Sequence, residues 1–214
     1  MKNISSLFTP SDIDSITQAV QSAEGITSGE IVVCVIPKSD TYPEVPLQGA
    51  VFAALLALLI LRSQEIFHRG WMAQPLLIIL TAMVLGLLLT TFVGPLHRLL
   101  ASKNRRHRVW QRAYQAFVDE EVFQTKERTG ILIFISLLER QVCVLGDSGI
   151  NQKITPKTWE GIVQKIIGGI KSGKPTQGII SAITQCGLLL KEHGFAKPSN
   201  DTNERPDVIR FLEG

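Results

Sequence analysis

The chain has 214 residues, a formal net charge of +3 and a hydrophobic fraction of 45%. So small a positive excess argues against a nucleic-acid-binding protein, whose basic surface is usually far more pronounced. The three cysteines have neither paired nor metal-ligand spacing. They therefore argue against a disulfide framework and predict reduced, buried thiols.

The first forty residues predict a helix followed by a buried strand. Thr9 is placed to cap the helix, with Pro10 in the first helical position and Asp12 in the first turn. The β-branched run over residues 30–37 then predicts a strand that is buried on both faces.

Two uncharged apolar runs follow, over residues 49–61 and 75–94, and the first extends back to Val45 without meeting a charge. A helix of about 20 residues spans roughly 30 Å, the thickness of a bilayer's hydrocarbon core. The alternative is a hydrophobic helical hairpin inside a soluble protein. We interpret residues 45–94 as a transmembrane hairpin with two spans.

Basic residues indicate which side of the membrane holds the termini. The only lysines or arginines between the two runs are Arg62 and Arg69. Six basic residues follow the second run before any acid: Arg98, Lys103, Arg105, Arg106, Arg108 and Arg112. Lysine and arginine near span ends stay on the cytoplasmic side, and the N-terminal residues show no apolar stretch typical of a signal peptide. The sequence therefore predicts that both termini are cytoplasmic.

The same basic segment is a candidate lipid-binding surface. Basic side chains beside a span attract anionic headgroups, at about 1 kcal/mol per residue. The predicted headgroup contacts are Arg98, Lys103, Arg105, Arg106 and Arg108. The alternatives are a solvated helix face and nucleic-acid binding, and the segment's single aromatic residue, Trp110, argues against nucleic acid.

The second half of the chain alternates helices and strands. The patterns predict a long helix over 95–123, strands at Gly130–Ser136 and Gln141–Gly146, and helices over 155–171 and 176–192. The predicted fold class is α/β, a small α/β/α sandwich with the membrane hairpin inserted after its first strand. Its discontinuous domain comprises residues 1–44 and 95–195, and residues 196–214 are predicted to be a disordered polar tail with an apolar end.

The connections predict how the strands are oriented. A helix-bearing crossover makes the first two strands parallel, and a tight turn makes the third antiparallel. The starts of strands one and two and the end of strand three then share one edge of the sheet. Since the far end of strand one leads into the hairpin, this edge is predicted to point away from the bilayer.

The residues at this edge carry a resemblance. Thr27-Ser28-Gly29-Glu30, Arg128-Thr129-Gly130 and Gly146-Asp147-Ser148-Gly149, each beside an apolar strand, resemble the TPM domain family. The hairpin after the first strand is similar to a bacterial branch of that family. The resemblance implies a compact α/β/α fold and a membrane-associated role. Family members are described as acid phosphatases in the thylakoid lumen, helpers in photosystem repair and receptor accessory proteins, so no single activity is implied.

The candidate site at this edge consists of six polar residues: Ser28, Glu30, Arg128, Thr129, Asp147 and Ser148. In one interpretation, Glu30 and Asp147 hold Ca²⁺ or Mg²⁺, or orient a water for phosphate hydrolysis. In the other, Arg128 clamps Asp147 or Glu30 and holds the strand ends in register. The residues leave both open.

The favoured function is a non-enzymatic accessory protein of the bacterial inner membrane, whose cytoplasmic domain binds another membrane protein. No catalytic set supports an enzyme, because the four histidines are scattered and no glycine-rich run matches a phosphate-binding loop. The alternative is a membrane-anchored, cation-dependent phosphomonoester hydrolase. Gly86 and Gly94 are too far apart for a small-xxx-small motif, so the sequence offers little support for self-assembly and indicates no oligomeric state.

Overall fold

The structure, a computed structural model, describes residues 8–67, 75–93, 105–198 and 204–212. The chain divides into two compact units. The first combines Met1–Asp40 with Arg106–Gly214, and the second is Thr41–Arg105.

The described residues form seven α-helices and four strands. In chain order these are α1 (Pro10–Glu24), β1 (Glu30–Ile36), α2 (Glu44–Phe67), α3 (Pro75–Phe92), α4 (Arg105–Asp119), β2 (Gly130–Ser136), β3 (Gln141–Gly146), α5 (Ser148–Asn151), α6 (Glu160–Lys171), α7 (Pro175–Glu192) and β4 (Arg210–Phe211). A 3₁₀ turn, Pro156–Trp159, precedes α6. Thr9 caps α1 with a reciprocal capping box to Asp12, as its sequence predicts.

The sheet confirms the predicted strand directions. Its order is β3-β2-β1-β4, with β1 parallel to β2 and β3 antiparallel to β2. Every residue of β1 and β2 is buried, because helices cover both faces. One face carries α1, α6 and α7, and the other carries α4. The predicted α/β/α sandwich is therefore confirmed.

The C-terminal segment differs from its prediction as a disordered tail. Residues Arg210 and Phe211 form β4, which pairs in parallel with Cys34 and Val35 of β1. Ile209 is buried, and the side chain of Arg210 binds that of Glu120. The strand lies in the apolar end of the tail and has only two residues, which is too short for a periodic pattern in the sequence, so it depends on these distant partners.

Helix α4 ends before the predicted limit of the helix over 95–123. Residues 95–104 lie outside the described part of the chain, and α4 ends at Asp119. Glu121 adopts a left-handed backbone conformation, with φ of 52°. The amide of Val122 then donates to the carbonyl oxygen of Phe117 over 3.0 Å. This turn ends the helix and leads the chain toward β2.

The second unit contains the two apolar helices. Each is long and apolar enough to cross a membrane, with mean hydropathies of 2.0 for Glu44–Ser63 and 2.3 for Pro75–Phe92. Helix α2 runs past the predicted first span to Phe67. The helices pack antiparallel where Gly49 meets Gly86 and Thr90, and a Cβ on Gly86 would lie 2.5 Å from the carbonyl oxygen of Gly49. Gly49 and Ala53 form a small-xxx-small pair at this contact between α2 and α3.

Candidate functional site

Arg128 and Asp147 form a two-point ion pair at the predicted edge. The Nε of Arg128 lies 2.7 Å from Oδ2 of Asp147, and its Nη2 donates to Oδ1 over 3.0 Å. The carboxylate is only 5% exposed, whereas the guanidinium side chain is 52% exposed. Only the Nη2 contact has hydrogen-bond geometry, and Oδ2 of Asp147 is a buried atom that accepts no hydrogen bond, so at Oδ2 the guanidinium acts through its charge at short distance.

Local backbone geometry positions both partners. Asp147 directly follows β3, and its amide donates to the carbonyl oxygen of Gly130 over 2.9 Å. Its Oδ1 accepts the amide of Ser148 at the start of α5 over 2.6 Å. Arg128 has a φ of 57°, a left-handed conformation that is costly for a residue with a Cβ. A Cβ on Gly149 would lie 2.5 Å from the carbonyl oxygen of Glu127, so only glycine lets α5 approach this turn. These contacts explain the aspartate and the second glycine of Gly146-Asp147-Ser148-Gly149.

Glu30 lies at the same edge but in a separate cluster of contacts. Strand β2 lies between β1 and β3, which places the backbones of Glu30 and Asp147 roughly 10 Å apart. Glu30 is 5% exposed and accepts the amide of Glu204 from the C-terminal segment over 3.1 Å. Among the described residues, no group of three or more carboxylate, histidine or cysteine side chains could hold a metal ion. A Ca²⁺ or Mg²⁺ site at Glu30 and Asp147 stays a prediction.

The three predicted hydroxyl residues have different environments. Thr129 Oγ1 donates to the backbone carbonyl of Ser28 over 2.9 Å and ties the start of β2 to the residues before β1. The amide of Thr129 is held in turn by the hydroxyl of Thr125 over 2.9 Å. Ser148 is exposed. The edge thus comprises an Arg128–Asp147 clamp, a Thr129–Ser28 tie and a Glu30 contact to the C-terminal segment.

Sequence reasoning missed a cluster of acids beside this edge. Glu24, the last residue of α1, is 6% exposed, and its Oε1 accepts the amide of Ile31 over 2.8 Å. Burial first, and then the neighbouring charges of Glu30 and Asp207, raise the pKa of the Glu24 carboxyl to about 9, although the hydrogen bond from Ile31 acts to lower it. Glu24 follows the buried Val20 by four residues, so it continues the buried stripe of α1. That spacing is the signal that could have identified it.

The structure describes part of the predicted lipid-binding set. Arg98 and Lys103 lie outside the described residues. Arg106 is exposed, whereas Arg108 binds the side chain of Asp40. Lipid headgroup contact stays a prediction for all five residues: Arg98, Lys103, Arg105, Arg106 and Arg108. To bind a headgroup, Arg108 would have to release the carboxylate of Asp40.

The three cysteines are buried and free of disulfides, as predicted. Burial raises the pKa of the thiols of Cys34, Cys143 and Cys186 to about 12 each. Since only the thiolate reacts, we expect iodoacetamide at pH 8 to modify none of them in the folded chain and all three in denaturant. Intact-mass spectrometry in mild detergent measures this. Rapid labelling of Cys34 in the folded chain would contradict it and would mean that β4 and α4 leave the sheet.

Comparison with known proteins agrees with this architecture. The fold and the site define a class of protein: a three-layer α/β/α domain in which an arginine–aspartate ion pair joins the strand ends. A family model described as the TPM domain matches residues 100–188. The resemblance to the TPM domain family is confirmed over residues 100–188.

A solved structure shares the fold. The NMR structure of the BA42 protein from the psychrophilic bacterium Bizionia argentinensis aligns with a TM-score of 0.63 and 20% identity, over 99% of this chain and 100% of that chain. At that identity the likeness concerns the fold alone. No curated protein matches the chain by sequence.

Proposed function

We propose that this chain is a membrane-anchored accessory protein of the bacterial inner membrane. In this proposal, α2 and α3 span the bilayer and the TPM domain binds another membrane protein. Only 22% of the apolar window of α2 and 11% of that of α3 are buried within the chain. A core helix of a soluble protein would bury most of such a surface, so lipid is the environment that best suits these side chains.

The domain is proposed to face the cytoplasm. The support is the excess of basic residues after the second span over those between the spans. Free, buried thiols suit a reducing compartment as well.

The arrangement of Asp147 carries the preference for binding over hydrolysis. Both of its carboxylate oxygens already contact Arg128, and one also caps α5. A cation would have to displace a guanidinium held 2.7 Å away, and Glu30 lies beyond β2. The groups that a hydrolase would need are thus engaged in holding the fold together.

Purification from native membranes tests this proposal. The tagged chain is expressed at its natural level, cross-linked in cells and purified in mild detergent. An unrelated two-span protein with the same tag serves as the control. We expect a stoichiometric membrane-protein partner that is absent from the control, whereas repeated recovery of the chain alone would contradict the accessory function.

A further inference from the structure

A groove of about 580 Å³ runs along the outer edge of β3. Helix α4 forms one wall with Trp110, and the segment leading into α6 forms the other with Trp159. Its floor is the edge strand itself, over Val142, Cys143 and Val144. Within the described ranges, no strand pairs with this edge.

The backbone of β3 presents hydrogen-bonding groups to the groove. The amide of Asp147 donates to Gly130, and in an antiparallel ladder alternate residues then face the partner strand. Residues Val142 and Val144 consequently direct their N–H and C=O groups outward. The next outward carbonyl, that of Gly146, is already occupied, because Asn151 Nδ2 donates to it over 2.5 Å. The available edge is therefore short and centred on these two valines.

The strand lacks the features that usually block such an edge. Natural edge strands carry charged side chains, prolines or bulges that prevent pairing with another chain. Between Gln141 and Gly146, β3 contains only Val142, Cys143, Val144 and Leu145. An edge of this kind is a template for an added strand.

The charged side chains around the groove indicate the charge of the segment that would bind there. Arg106, Arg140 and Lys157 line it, against one acid, Glu160. Three cations and one carboxylate complement an acidic segment and oppose a basic one. Trp110, which is half-buried, offers apolar contact to side chains that alternate with the acids.

The opposite edge of the same sheet already accepts an extended segment. There, β4 pairs with β1 over two residues, and the amide of Leu212 donates to Val35 over 3.0 Å. Charged side chains fasten that segment, as Arg205 does with Glu121 over 3.3 Å. A short strand held by flanking ion pairs is thus a mode of contact that this domain uses within its own chain.

We propose that the β3 groove binds an extended, acidic segment of the partner protein by strand addition. This inference rests on the proposed accessory function and names the surface and the chemistry of the partner. The acidic residues contact Arg106, Arg140 and Lys157, and the backbone of the segment pairs with Val142 and Val144.

A peptide probe tests the inference on the full chain in lipid nanodiscs. The probe is a blocked octapeptide of alternating aspartate and valine, and its matched control has lysine in place of aspartate. We expect saturable binding of the acidic probe alone, with amide hydrogen exchange at Val142 and Val144 slowed at least tenfold. Methylating the backbone nitrogens of one alternate set of probe residues should abolish binding, while methylating the other set should not. This comparison removes strand pairing without altering the protein.

Charge-reversal variants test the cationic rim. The double variant Arg140→Glu with Lys157→Glu should bind the acidic probe at least tenfold more weakly. Lys171→Glu, an exposed position outside the groove, is the matched control and should bind as the wild type does. Equal binding of the lysine probe, or unchanged exchange at Val142 and Val144, would overturn the inference.

Two further outcomes distinguish this inference from the proposed function. If the double variant still captures the stoichiometric partner as the wild type does, the groove is not the docking surface, although the accessory function stands. If the wild type captures no partner, the accessory function itself fails. A dimer that the acidic probe dissociates, seen by light scattering, would assign the edge to a second copy of the chain and overturn the commitment to an acidic partner.

Discussion

Replacing Arg128 with alanine should lower the free energy of unfolding of the TPM domain by about 2–3 kcal/mol. The reason is asymmetric burial, since Asp147 is 5% exposed and its partner 52% exposed. Removing one member of a buried pair costs about 3–5 kcal/mol because the other charge stays desolvated, and the exposure of Arg128 reduces that figure. Urea denaturation of the full chain in non-ionic detergent, followed by tryptophan fluorescence, measures the change.

Matched variants separate the contribution of the guanidinium geometry to stability from that of its positive charge. Arg128→Lys keeps the positive charge and the Cβ but loses the two-point contact. It should lower the free energy of unfolding by about half as much as Arg128→Ala does. Lys171→Ala removes an exposed cation elsewhere and should change the free energy of unfolding by less than about 0.5 kcal/mol. Loss of stability no larger in Arg128→Ala than in Lys171→Ala would show that the pair is not a clamp.

The cation-site interpretation makes a different prediction at the same residues. Saturable binding of Ca²⁺ or Mg²⁺ by the wild type, lost in Asp147→Asn, would make this edge a metal site and justify a search for phosphomonoester hydrolysis. We expect no such binding, and an Asp147→Asn chain that is merely less stable. Calorimetric titration of the full chain in detergent distinguishes the two results.

Raising the pH from 5 to 9 should detach the C-terminal segment from the sheet. The folded chain keeps a proton on Glu24 up to a pKa of about 9, whereas the unfolded chain loses it near the ordinary pKa of 4.5. The contribution of this proton to the free energy of unfolding is therefore fully present below pH 4.5. It falls as the pH rises toward 9, by about 1.4 kcal/mol per pH unit for one proton. Ionised Glu24 would repel Glu30 and Asp207, and the positive charge of Lys197, whose Nζ donates to the Glu24 carbonyl oxygen over 3.0 Å, offsets this only in part.

Hydrogen exchange measures this detachment, because local opening precedes global unfolding. After correction for the intrinsic pH dependence of exchange, amides of β4 and of residues 204–212 should lose protection between pH 5 and 9. Glu24→Gln keeps the oxygen that accepts from Ile31 and adds a donor toward Asp207, so it should abolish the pH dependence. Glu127→Gln, at an exposed position, is the matched control and should behave as the wild type does. A pH dependence that survives in Glu24→Gln would assign the effect to another group.

Much of the fold follows from local patterns. The β-branched runs of β1 and β2 are buried on both faces as predicted, and the periodic apolar positions of α6 and α7 face the sheet. The predicted parallel and antiparallel connections place Arg128 and Asp147 at one edge, because a helical crossover and a tight turn leave little choice of direction. Local periodicity is a strong signal where each segment buries its own apolar face.

At the candidate site, local sequence patterns do not predict which carboxylate pairs with Arg128. Both Glu30 and Asp147 were available partners for Arg128, and only the order of the strands decides between them. β2 separates Glu30 from β3, while Asp147 follows β3 directly and faces the turn that carries Arg128. The choice depends on distances between residues far apart in the chain, which no spacing in the sequence encodes.

By itself the sequence determined the α/β/α layers, the two apolar helices, the burial of the thiols and the edge at which the polar residues gather. Only the tertiary structure decided that Arg128 clamps Asp147, that the C-terminal segment adds β4, and that Glu24 is buried beside Glu30 and Asp207. It also decided that β3, rather than β1, is left with an open edge. The physical reason is the range of the interactions. Propensity and periodicity act within a segment, whereas ion pairing, desolvation and strand addition depend on which distant groups the packed core brings within a few ångströms.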